Sequence, residues 1–257
     1  MLGSIIASKY TFALLFFGIL IGGLNEFTSF FKDSEVKTNR IPTFLLSILL
    51  FCISFLVAQH TITPKYFLLL FPALLTIMGA EMYRKHEKPV ENIAISIFGF
   101  IYLAIPISLT NFLVFSETVS NNNYNPVLLI ALFVMIWIYD SGAYLVGVSI
   151  GKHRLFERIS PKKSWEGAIG GTLIVMTVSC FFSRFIPEIK TEHWIIISIL
   201  TVISSTYGDL TESMFKRYFG IKDSGHLLPG HGGILDRFDS LFFAAPVIVM
   251  YLKLVIE

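Results

Sequence analysis

Long apolar stretches alternate with short polar segments along the chain, and the apolar stretches contain almost no Asp, Glu, Lys or Arg. A helix that crosses the hydrocarbon core of a bilayer needs about 20 predominantly apolar residues. By that measure the sequence predicts eight transmembrane helices, at residues 10–30, 41–59, 65–83, 92–115, 126–148, 168–186, 193–214 and 239–256. The runs are unbroken and about twice the length of a membrane β-strand. The predicted fold class is therefore an all-α, polytopic integral membrane protein.

The composition excludes several other classes of protein. Of the 257 residues, 54% are hydrophobic and 15% are charged, whereas a soluble domain carries about 25% charged residues. This excludes a water-soluble globule, a disordered chain and a coiled coil. The net charge of +2 gives no indication of a nucleic-acid partner. Cys52 and Cys180 both lie in apolar runs, so we infer neither a disulfide nor a metal site from them.

The distribution of Lys and Arg predicts the orientation in the membrane, because loops on the cytoplasmic side carry an excess of both residues. The alternate loops 31–40, 84–91, 149–167 and 215–238 hold 15 of the 20 basic residues, which makes them the cytoplasmic loops. Eight spans then leave both termini outside. The first apolar run ends in Asn25-Glu26-Phe27 and not at a small-residue cleavage site, so it is predicted to be a span and not a signal peptide.

The third cytoplasmic loop has the features of an anion-binding segment. Ser160 and Pro161 are typical of a helix start, with Ser as the N-cap and Pro in the first turn. Lys162, Lys163 and Ser164 would then lie at a helix N-terminus, where free N–H groups favour an anion. The alternative is that the lysines only fix the topology and touch lipid headgroups, although topology alone requires no Ser, Trp or Gly.

The fourth cytoplasmic loop combines tight turns with cationic side chains. Pro229-Gly230 and Gly232-Gly233 let the backbone turn sharply and approach a ligand closely. The donors around these turns suit phosphate, and they are His226, His231, Lys216, Arg217, Lys222 and Arg237. Asp236 and Asp239 are three residues apart, so they share a face where the last helix begins. As an isolated pair they could equally cap that helix.

Two further acidic sites lie within predicted helices. Asp140 follows a run of apolar and aromatic residues, and Asp209 shares a helix face with Ser213 near the cytoplasmic end of the seventh helix. A charged residue inside the bilayer costs at least about 2.5–3.5 kcal/mol, so such residues are candidates for a function. The alternative is a hydrogen bond between helices or a side chain that reaches the interface. Together with Asp236 and Asp239 these acids are predicted to lie at a similar depth, where cations would bridge an acidic pocket to phosphates.

These residues resemble the signature of the phosphatidate cytidylyltransferases (CDP-diacylglycerol synthases). The resemblance rests on Ser213-x-x-Lys-Arg-x4-Lys-Asp-Ser-Gly-x-x-Leu-Pro-Gly-His-Gly-Gly-Ile-x-Asp-Arg-Phe-Asp239, which fits the family pattern at every specified position. It also covers Asp140-Ser-Gly-Ala-Tyr144, the loop from Gly151-Lys152 to Gly167, and Tyr207-Gly-Asp-Leu210, and so extends over roughly residues 134–240. Family members usually have a further apolar helix before the first span, so the resemblance implies that the chain begins one span late.

The resemblance implies the activity, the cofactor and the partners. CTP and phosphatidate would give CDP-diacylglycerol and pyrophosphate in phospholipid biosynthesis, with Mg²⁺ as the cofactor and room for a second cation. CTP and the membrane lipid are the expected partners, nucleic acid is not, and formation of a homodimer is left open. A multi-pass protein of this compact length is expected in the inner membrane of a bacterium. The four N-terminal spans, in residues 1–125, would precede a catalytic C-terminal region, residues 126–257.

The resemblance also implies roles for individual residues. Asp209 and Asp236 would be metal ligands, with Ser213, Asp140 and Asp239 as supporting oxygens. The residues expected to take part in catalysis are Asp209, Asp236, Lys216, Arg217 and Asp239. Those expected to bind the substrates are Lys162, Lys163, Ser164, Lys222, Asp223, His231, Gly232, Gly233 and Arg237. The phosphate monoester of the lipid, with a second pKa of about 6, is already largely dianionic at neutral pH, so no general base is required.

Two alternative functions remain open on the sequence alone. A CTP-dependent lipid kinase that phosphorylates a polyprenol or a related alcohol would use similar chemistry. It would need a base for the neutral hydroxyl, however, and would release CDP instead of pyrophosphate. An ion-coupled transporter would also carry intramembrane acids, but near the bilayer midplane and with broken helices. The acids are predicted at one surface beside phosphate-binding loops, which favours the cytidylyltransferase.

Overall fold

The computed structural model describes residues 1–32, 34–121, 123–221, 224–225 and 232–257. Within these residues the chain forms two compact units. The N-terminal unit comprises Met1–Phe115, Asn122–Tyr124 and Asp223–Arg237, and the C-terminal unit comprises Ser116–Asn121, Asn125–Lys222 and Phe238–Glu257. The division of the chain into functional regions at residue 125 stays a prediction.

The N-terminal unit is built from helices that are joined by short turns. Its elements are α1 (Leu2–Ala7), α2 (Lys9–Ser29), α3 (Arg40–Ala58), a 3₁₀ turn (Pro64–Leu69) that leads into α4 (Leu70–Tyr83), α5 (Pro89–Gly99), a π turn (Phe100–Ala104) and α6 (Ile105–Val114). A capping box starts α2, because the side chains of Ser8 and Thr11 each accept the backbone N–H of the other residue. Prolines in the first turn start α5 and α6.

Polar bonds link helices inside the N-terminal unit, where most buried side chains are aliphatic or aromatic. The side-chain amide of Asn111 donates to Ser54 Oγ at 2.8 Å, which joins α6 to α3. Burial raises the pKa of Tyr124 to about 12, so its hydroxyl stays protonated and donates to the backbone carbonyl of Ile5. Such pairing is needed because an unsatisfied polar group is costly in an apolar interior.

The C-terminal unit contains the two longest uninterrupted α-helices of the described chain. Its elements are α7 (Glu117–Ser120), α8 (Val127–Ile150), strands β1 (Arg154–Phe156) and β2 (Ser160–Ser164), α9 (Trp165–Phe185), α10 (Thr191–Tyr218), α11 (Leu235–Tyr251) and a π turn (Leu252–Ile256). The first three residues of α11 belong to the N-terminal unit. Small residues let α8 and α9 pack closely, since a Cβ atom at Gly167 would lie 2.6 Å from the carbonyl oxygen of Ala143.

The prediction of a polytopic all-α membrane protein is confirmed. In the part of the chain that the structure describes, eight helices are long and apolar enough to cross a membrane. They are Lys9–Ser29, Arg40–Ala58, Pro64–Tyr83, Pro89–Ser120, Val127–Ile150, Trp165–Phe185, Thr191–Tyr218 and Leu235–Ile256. Each of them overlaps one of the spans predicted from the sequence.

The expected helix start at Ser160 and Pro161 is wrong. These residues begin β2, which pairs antiparallel with β1. Helix α9 begins only at Trp165, and Ser164 is its N-cap, with a hydroxyl that accepts the N–H of Gly167 at 3.2 Å. A Ser-Pro pair satisfies the local rule for a helix start, but pairing with β1 gives this segment its backbone hydrogen bonds instead. Pro161 is tolerated because a two-stranded sheet has only edge strands.

Two helices extend further than the predicted spans. Helix α10 continues to Tyr218, so Lys216 and Arg217 lie in its last turn and not in a loop. Cations are favoured there because the C-terminus of a helix carries a partial negative charge. Helix α11 begins at Leu235, four residues before the predicted span, and it starts with an acid in its first turn. A carboxylate at this position interacts favourably with the positive end of the helix dipole.

Candidate functional site

Three carboxylates converge in the C-terminal unit. Asp209, Glu212 and Asp239 each offer one carboxylate oxygen, and these three oxygens lie within 4.8 Å of one another. Asp209 and Glu212 are three residues apart on α10 and therefore share a face, while Asp239 comes from the beginning of α11. We refer to these three residues as the acidic cluster.

Gly208 allows the backbone of Asp239 to lie directly against α10. A Cβ atom at residue 208 would collide with the carbonyl oxygen of Asp239 and would lie 3.1 Å from both the carbonyl carbon of Asp239 and the Cα of Ser240. The backbone N–H of Ser240 donates to Asp239 Oδ1 at 2.5 Å. The absence of a side chain at residue 208 is thus one cause of the short distances within the acidic cluster.

Two lysines are paired with the acidic cluster. Lys163 Nζ, from β2, forms an ion pair with Asp209 Oδ2. Lys216 Nζ lies 2.6 Å from Glu212 Oε2, one helical turn along α10. Ser213 Oγ is 3.4 Å from Asp209 Oδ1, which makes a long hydrogen bond. Ser213, Lys163 and Lys216 thus all lie beside the acidic cluster, and the roles predicted for them stay predictions.

Asp140 contributes a fourth acid to this region. It is exposed on α8, and its charge interacts with those of Lys163 and Asp209. The neighbouring Tyr139 shares a hydrogen bond of 2.6 Å with Thr206 Oγ1, which joins α8 to α10 at this level. If all groups are ionised, Asp140 and the acidic cluster carry four negative charges and the two lysines carry two positive charges. The remaining two negative charges match one divalent cation.

The β1–β2 hairpin separates the three residues that were predicted to bind an anion together. Lys163 reaches the acidic cluster, whereas Lys162 is exposed. Neighbouring residues of a strand point to opposite faces, which explains the difference. Ser164 is buried and caps α9. The carboxylate of Glu166 accepts the backbone N–H groups of Lys152 and His153 at 3.1 and 3.2 Å, which holds the hairpin against the start of α9.

Asp236 joins Ser224 to Gly233 within the N-terminal unit. Its Oδ2 accepts hydrogen bonds from Ser224 N, Ser224 Oγ and Gly233 N, each at 2.9 Å. Gly232 adopts a φ of +79°, a conformation that side chains rarely allow, so a glycine is required at this turn. The sequence prediction that Gly232 and Gly233 form a tight turn is consistent with this geometry, and the role of Asp236 as a metal ligand stays a prediction.

Glu26 was not predicted to belong to the site, yet it contacts residues on both sides of Asp236's hydrogen bonds, namely Ser224, Ile234 and Leu235. It is 6% exposed, and its carboxylate accepts the backbone N–H of Ile234 at 2.9 Å and that of Leu235 at 3.0 Å. The hydroxyl of Ser224 lies 3.4 Å from the same carboxylate. Because Leu235 begins α11, Glu26 supplies an acceptor for N–H groups that have no partner within the helix. The sequence feature that could have indicated Glu26 is its position at the end of an apolar run, where a carboxylate is unusual.

The other predicted residues fall into two groups. Arg217 and Arg237 are exposed. Lys222, Asp223 and His231 lie outside the described residues. Glu212 had no predicted role, although its spacing gave a signal, since it lies three residues from Asp209 and four from Lys216 on the same helix.

Comparison with known proteins gives the same classification throughout. The sequence model described as the cytidylyltransferase family matches residues 1–255. A phosphatidate cytidylyltransferase of Haemophilus influenzae is 48% identical over 124 residues, which cover 46% of this chain and 43% of that protein. A phosphatidate cytidylyltransferase of Staphylococcus aureus strain COL is 41% identical over 174 residues, 67% of this chain and 64% of that protein. The chain therefore matches less than two thirds of the length of either relative.

Proposed function

The chain belongs to the cytidylyltransferase family, and we propose that it is a membrane-bound phosphatidate cytidylyltransferase. In the proposed reaction, CTP and phosphatidate give CDP-diacylglycerol and pyrophosphate. The names of the two relatives support this choice of substrate, and so does the signature that ends at Asp239.

The observation that carries the proposal is the acidic cluster and its two lysines. Asp209, Glu212 and Asp239 bring three carboxylate oxygens within 4.8 Å of one another, and Lys163 and Lys216 contact two of these acids. Reaction between two polyanions requires positive charge between them and a fixed in-line geometry. The carboxylate oxygens can bind a metal cation, and the ammonium groups of the two lysines add positive charge of their own.

The residues of this region fit a divalent metal such as Mg²⁺. Mg²⁺ prefers oxygen ligands and usually binds through one or two carboxylates plus substrate phosphates. Asp209 and Asp239 are the proposed ligands, with Ser213 and Asp140 as further oxygens, and Asp236 remains a predicted ligand. When bound, the metal would neutralise phosphate charge and orient the nucleotide. The carboxylate of Glu212 would supply further negative charge for a second cation.

The proposed transfer needs little proton chemistry from the protein. An oxygen of the lipid phosphate forms a bond to the α-phosphorus of CTP, and the bond from that phosphorus to the bridging oxygen breaks. The electron pair of the broken bond leaves with pyrophosphate. Because the attacking phosphate is already dianionic at neutral pH, the role of Lys163 and Lys216 is to hold phosphate oxygens and stabilise charge. Lys162, Arg217 and Arg237 are proposed to bind phosphates from exposed positions.

The multi-pass architecture suits a lipid substrate, which enters from the bilayer while CTP arrives from the aqueous side. We place the protein in the cytoplasmic membrane of a bacterium, with the acidic cluster near the cytoplasmic face. The bacterial relatives and the predicted excess of Lys and Arg in the loops on that side support this location.

The test uses the full chain in detergent micelles with CTP that carries a label on its α-phosphate. With phosphatidate and Mg²⁺ we expect the label in CDP-diacylglycerol and an equal amount of pyrophosphate. Replacing phosphatidate with diacylglycerol, or chelating the metal, should abolish both products. Release of CDP on addition of a polyprenol would instead identify a lipid kinase, and the absence of any CTP turnover would refute the proposal.

A further inference from the structure

A cationic cavity lies in the N-terminal unit, apart from the residues considered so far. It has a volume of about 450 Å³ and lies where the end of α2, the start of α3 and the end of α4 meet. Its charged lining consists of Lys32, Lys37, Arg40, Arg84 and His86, and the described residues that line it include no Asp or Glu. This volume is within the range of small-molecule sites, which is roughly 300–1,000 Å³.

The cations of this cavity are not balanced by the acids near it. Arg84 forms an ion pair of 2.7 Å with Glu81. Lys37 Nζ donates to the backbone carbonyl of Lys32, and Arg40 Nη2 donates to the side-chain oxygen of Asn25 at 2.5 Å. Both of these acceptors are uncharged, so the bonds orient the two cations without neutralising them.

The described acids that flank the cavity in the sequence do not line it. Glu35 forms an ion pair with Lys88, which does not line the cavity, and the hydrogen bond from Lys88, together with its charge, lowers the pKa of Glu35. The sequence between α2 and α3 holds one further acid, Asp33, which lies outside the described residues. The four permanent cations Lys32, Lys37, Arg40 and Arg84 therefore meet no carboxylate in the described lining of the cavity, and Arg84 is the one of them that forms an ion pair in the described part of the chain.

Arg40 occupies a position that helix energetics disfavour. It is the first residue of α3, where the unpaired N–H groups already produce a partial positive charge. A cation at that end lowers the stability of the helix, and an anion there raises it. Local rules of this kind are usually broken at functional sites. An anion in the cavity would contact both the guanidinium and the helix end, and would turn the repulsion into attraction.

Membrane topology alone does not account for this arrangement. The positive-inside rule counts Lys and Arg in a loop, and exposed residues such as Lys85 satisfy it without lining a cavity. The hydroxyls of Thr28 and Ser29 line the cavity, but they donate to carbonyls within α2. The donors that face a ligand are thus mainly charged nitrogens, which favour phosphate over a neutral polar molecule.

We propose that this cavity binds a phosphate monoester, supplied either by the headgroup of an anionic lipid such as phosphatidate or by free phosphate from the aqueous side. The guanidinium of Arg40 would hold two phosphate oxygens, and Lys32 and Lys37 would provide further charge. The site lies wholly within the N-terminal unit and is proposed in addition to the catalytic residues, so it is tested by binding and not by turnover.

The test compares Arg40→Gln and Lys37→Gln with the matched control Lys85→Gln, all in the full chain and each with the same change of charge. Native mass spectrometry of delipidated protein would count bound phosphatidate against phosphatidylcholine, and calorimetry would measure binding of inorganic phosphate. In the wild type and in Lys85→Gln we expect one more bound phosphate group than in Arg40→Gln. Affinity at that site should fall by about tenfold or more in Lys37→Gln.

The two sources of phosphate give different results in this comparison. A lipid ligand predicts that the lost equivalent is phosphatidate and that inorganic phosphate does not displace it. A free ligand predicts that inorganic phosphate binds the wild type and that Arg40→Gln abolishes this binding. Arg40→Lys keeps the charge and should retain part of the affinity. This variant therefore tests the site even if Arg40→Gln does not fold. Equal binding of both probes in all variants would overturn the proposal.

Discussion

Lys163 and Asp209 form an ion pair that joins strand β2 to helix α10. Their side chains are 29% and 32% exposed, so the pair is screened by solvent and adds little to stability. The pair also connects a residue predicted to hold phosphate with one predicted to hold a metal. The ammonium group of Lys163 therefore neutralises the carboxylate of Asp209 in this structure. A divalent cation bound at Asp209 would release that ammonium group to contact a phosphate.

The first prediction concerns the two opposite effects of removing this lysine. We expect Lys163→Met to lower the turnover number by about a hundredfold, because a charged donor to phosphate is lost. The same change should lower the Mg²⁺ concentration for half-maximal activity, because a cation no longer competes at Asp209. Titrating Mg²⁺ against activity measures both quantities. Lys152→Met, an exposed change in the same loop, should alter neither, and a higher Mg²⁺ requirement in Lys163→Met would contradict the assignment.

The second prediction separates metal binding from helix packing in the acidic cluster. Asp209→Asn and Asp239→Asn should nearly abolish turnover while the protein still inserts and purifies. Without metal, each variant should melt at or above the temperature of the wild type, because one charge of a repelling group is removed. Stabilisation by Mg²⁺ should disappear from both. Melting curves with Mg²⁺ and with chelator test this, and Glu157→Gln in the exposed hairpin serves as the control.

The third prediction uses the close contact at Gly208. Adding one methyl group there forces the backbone of Asp239 away from α10, and such overpacking costs about 1–3 kcal/mol. Gly208→Ala should therefore lower both the melting temperature and the affinity for Mg²⁺. At Gly18, a Cβ atom would meet nothing within 4 Å, so Gly18→Ala is the matched control and should be neutral or stabilising. An unchanged metal affinity in Gly208→Ala would mean that this contact does not position Asp239.

The sequence predicted those features that depend on local composition. Apolar runs located all eight spans, because the length of a spanning helix is fixed by the thickness of the bilayer. Asp209 was recognised because a carboxylate inside an apolar run is costly, and Asp239 because it lies three residues from Asp236 where the last helix begins. Lys216 was instead assigned to the loop after the seventh span, and its place one helical turn after Glu212 follows from the extension of α10 to Tyr218.

Features that depend on tertiary pairing were not predictable in this way. The Ser-Pro pair at residues 160 and 161 satisfies the rule for a helix start, and only pairing with β1 turns it into a strand. The separation of Lys162 from Lys163 follows from that strand. Glu26 lies 209 positions from Leu235, and no local pattern indicates that the two residues meet.

The fourth prediction addresses Asp236, whose Oδ2 accepts three hydrogen bonds within the N-terminal unit. Asn keeps one carbonyl acceptor for these donors but removes the charge that a metal requires. If Asp236 is a metal ligand, the Asp236→Asn protein should lose nearly all turnover and should no longer be stabilised by Mg²⁺. If it only organises the turn at Gly232 and Gly233, activity should instead fall in proportion to stability, with the Mg²⁺ requirement unchanged. Parallel measurement of melting and Mg²⁺ dependence distinguishes the two roles.

The last prediction concerns Glu26, which accepts the N–H groups of Ile234 and Leu235 in a buried position. Glu26→Gln removes the charge and places an amide donor opposite backbone donors, so at least one N–H group loses its acceptor at a cost of about 1–3 kcal/mol. We expect a lower melting temperature, faster proteolysis at the start of α11 and reduced turnover. Glu26→Asp keeps the charge and should restore part of the activity, whereas Glu188→Gln, an exposed change, should have no effect. A Glu26→Gln protein with normal melting and protease resistance would show that the start of α11 does not depend on this carboxylate.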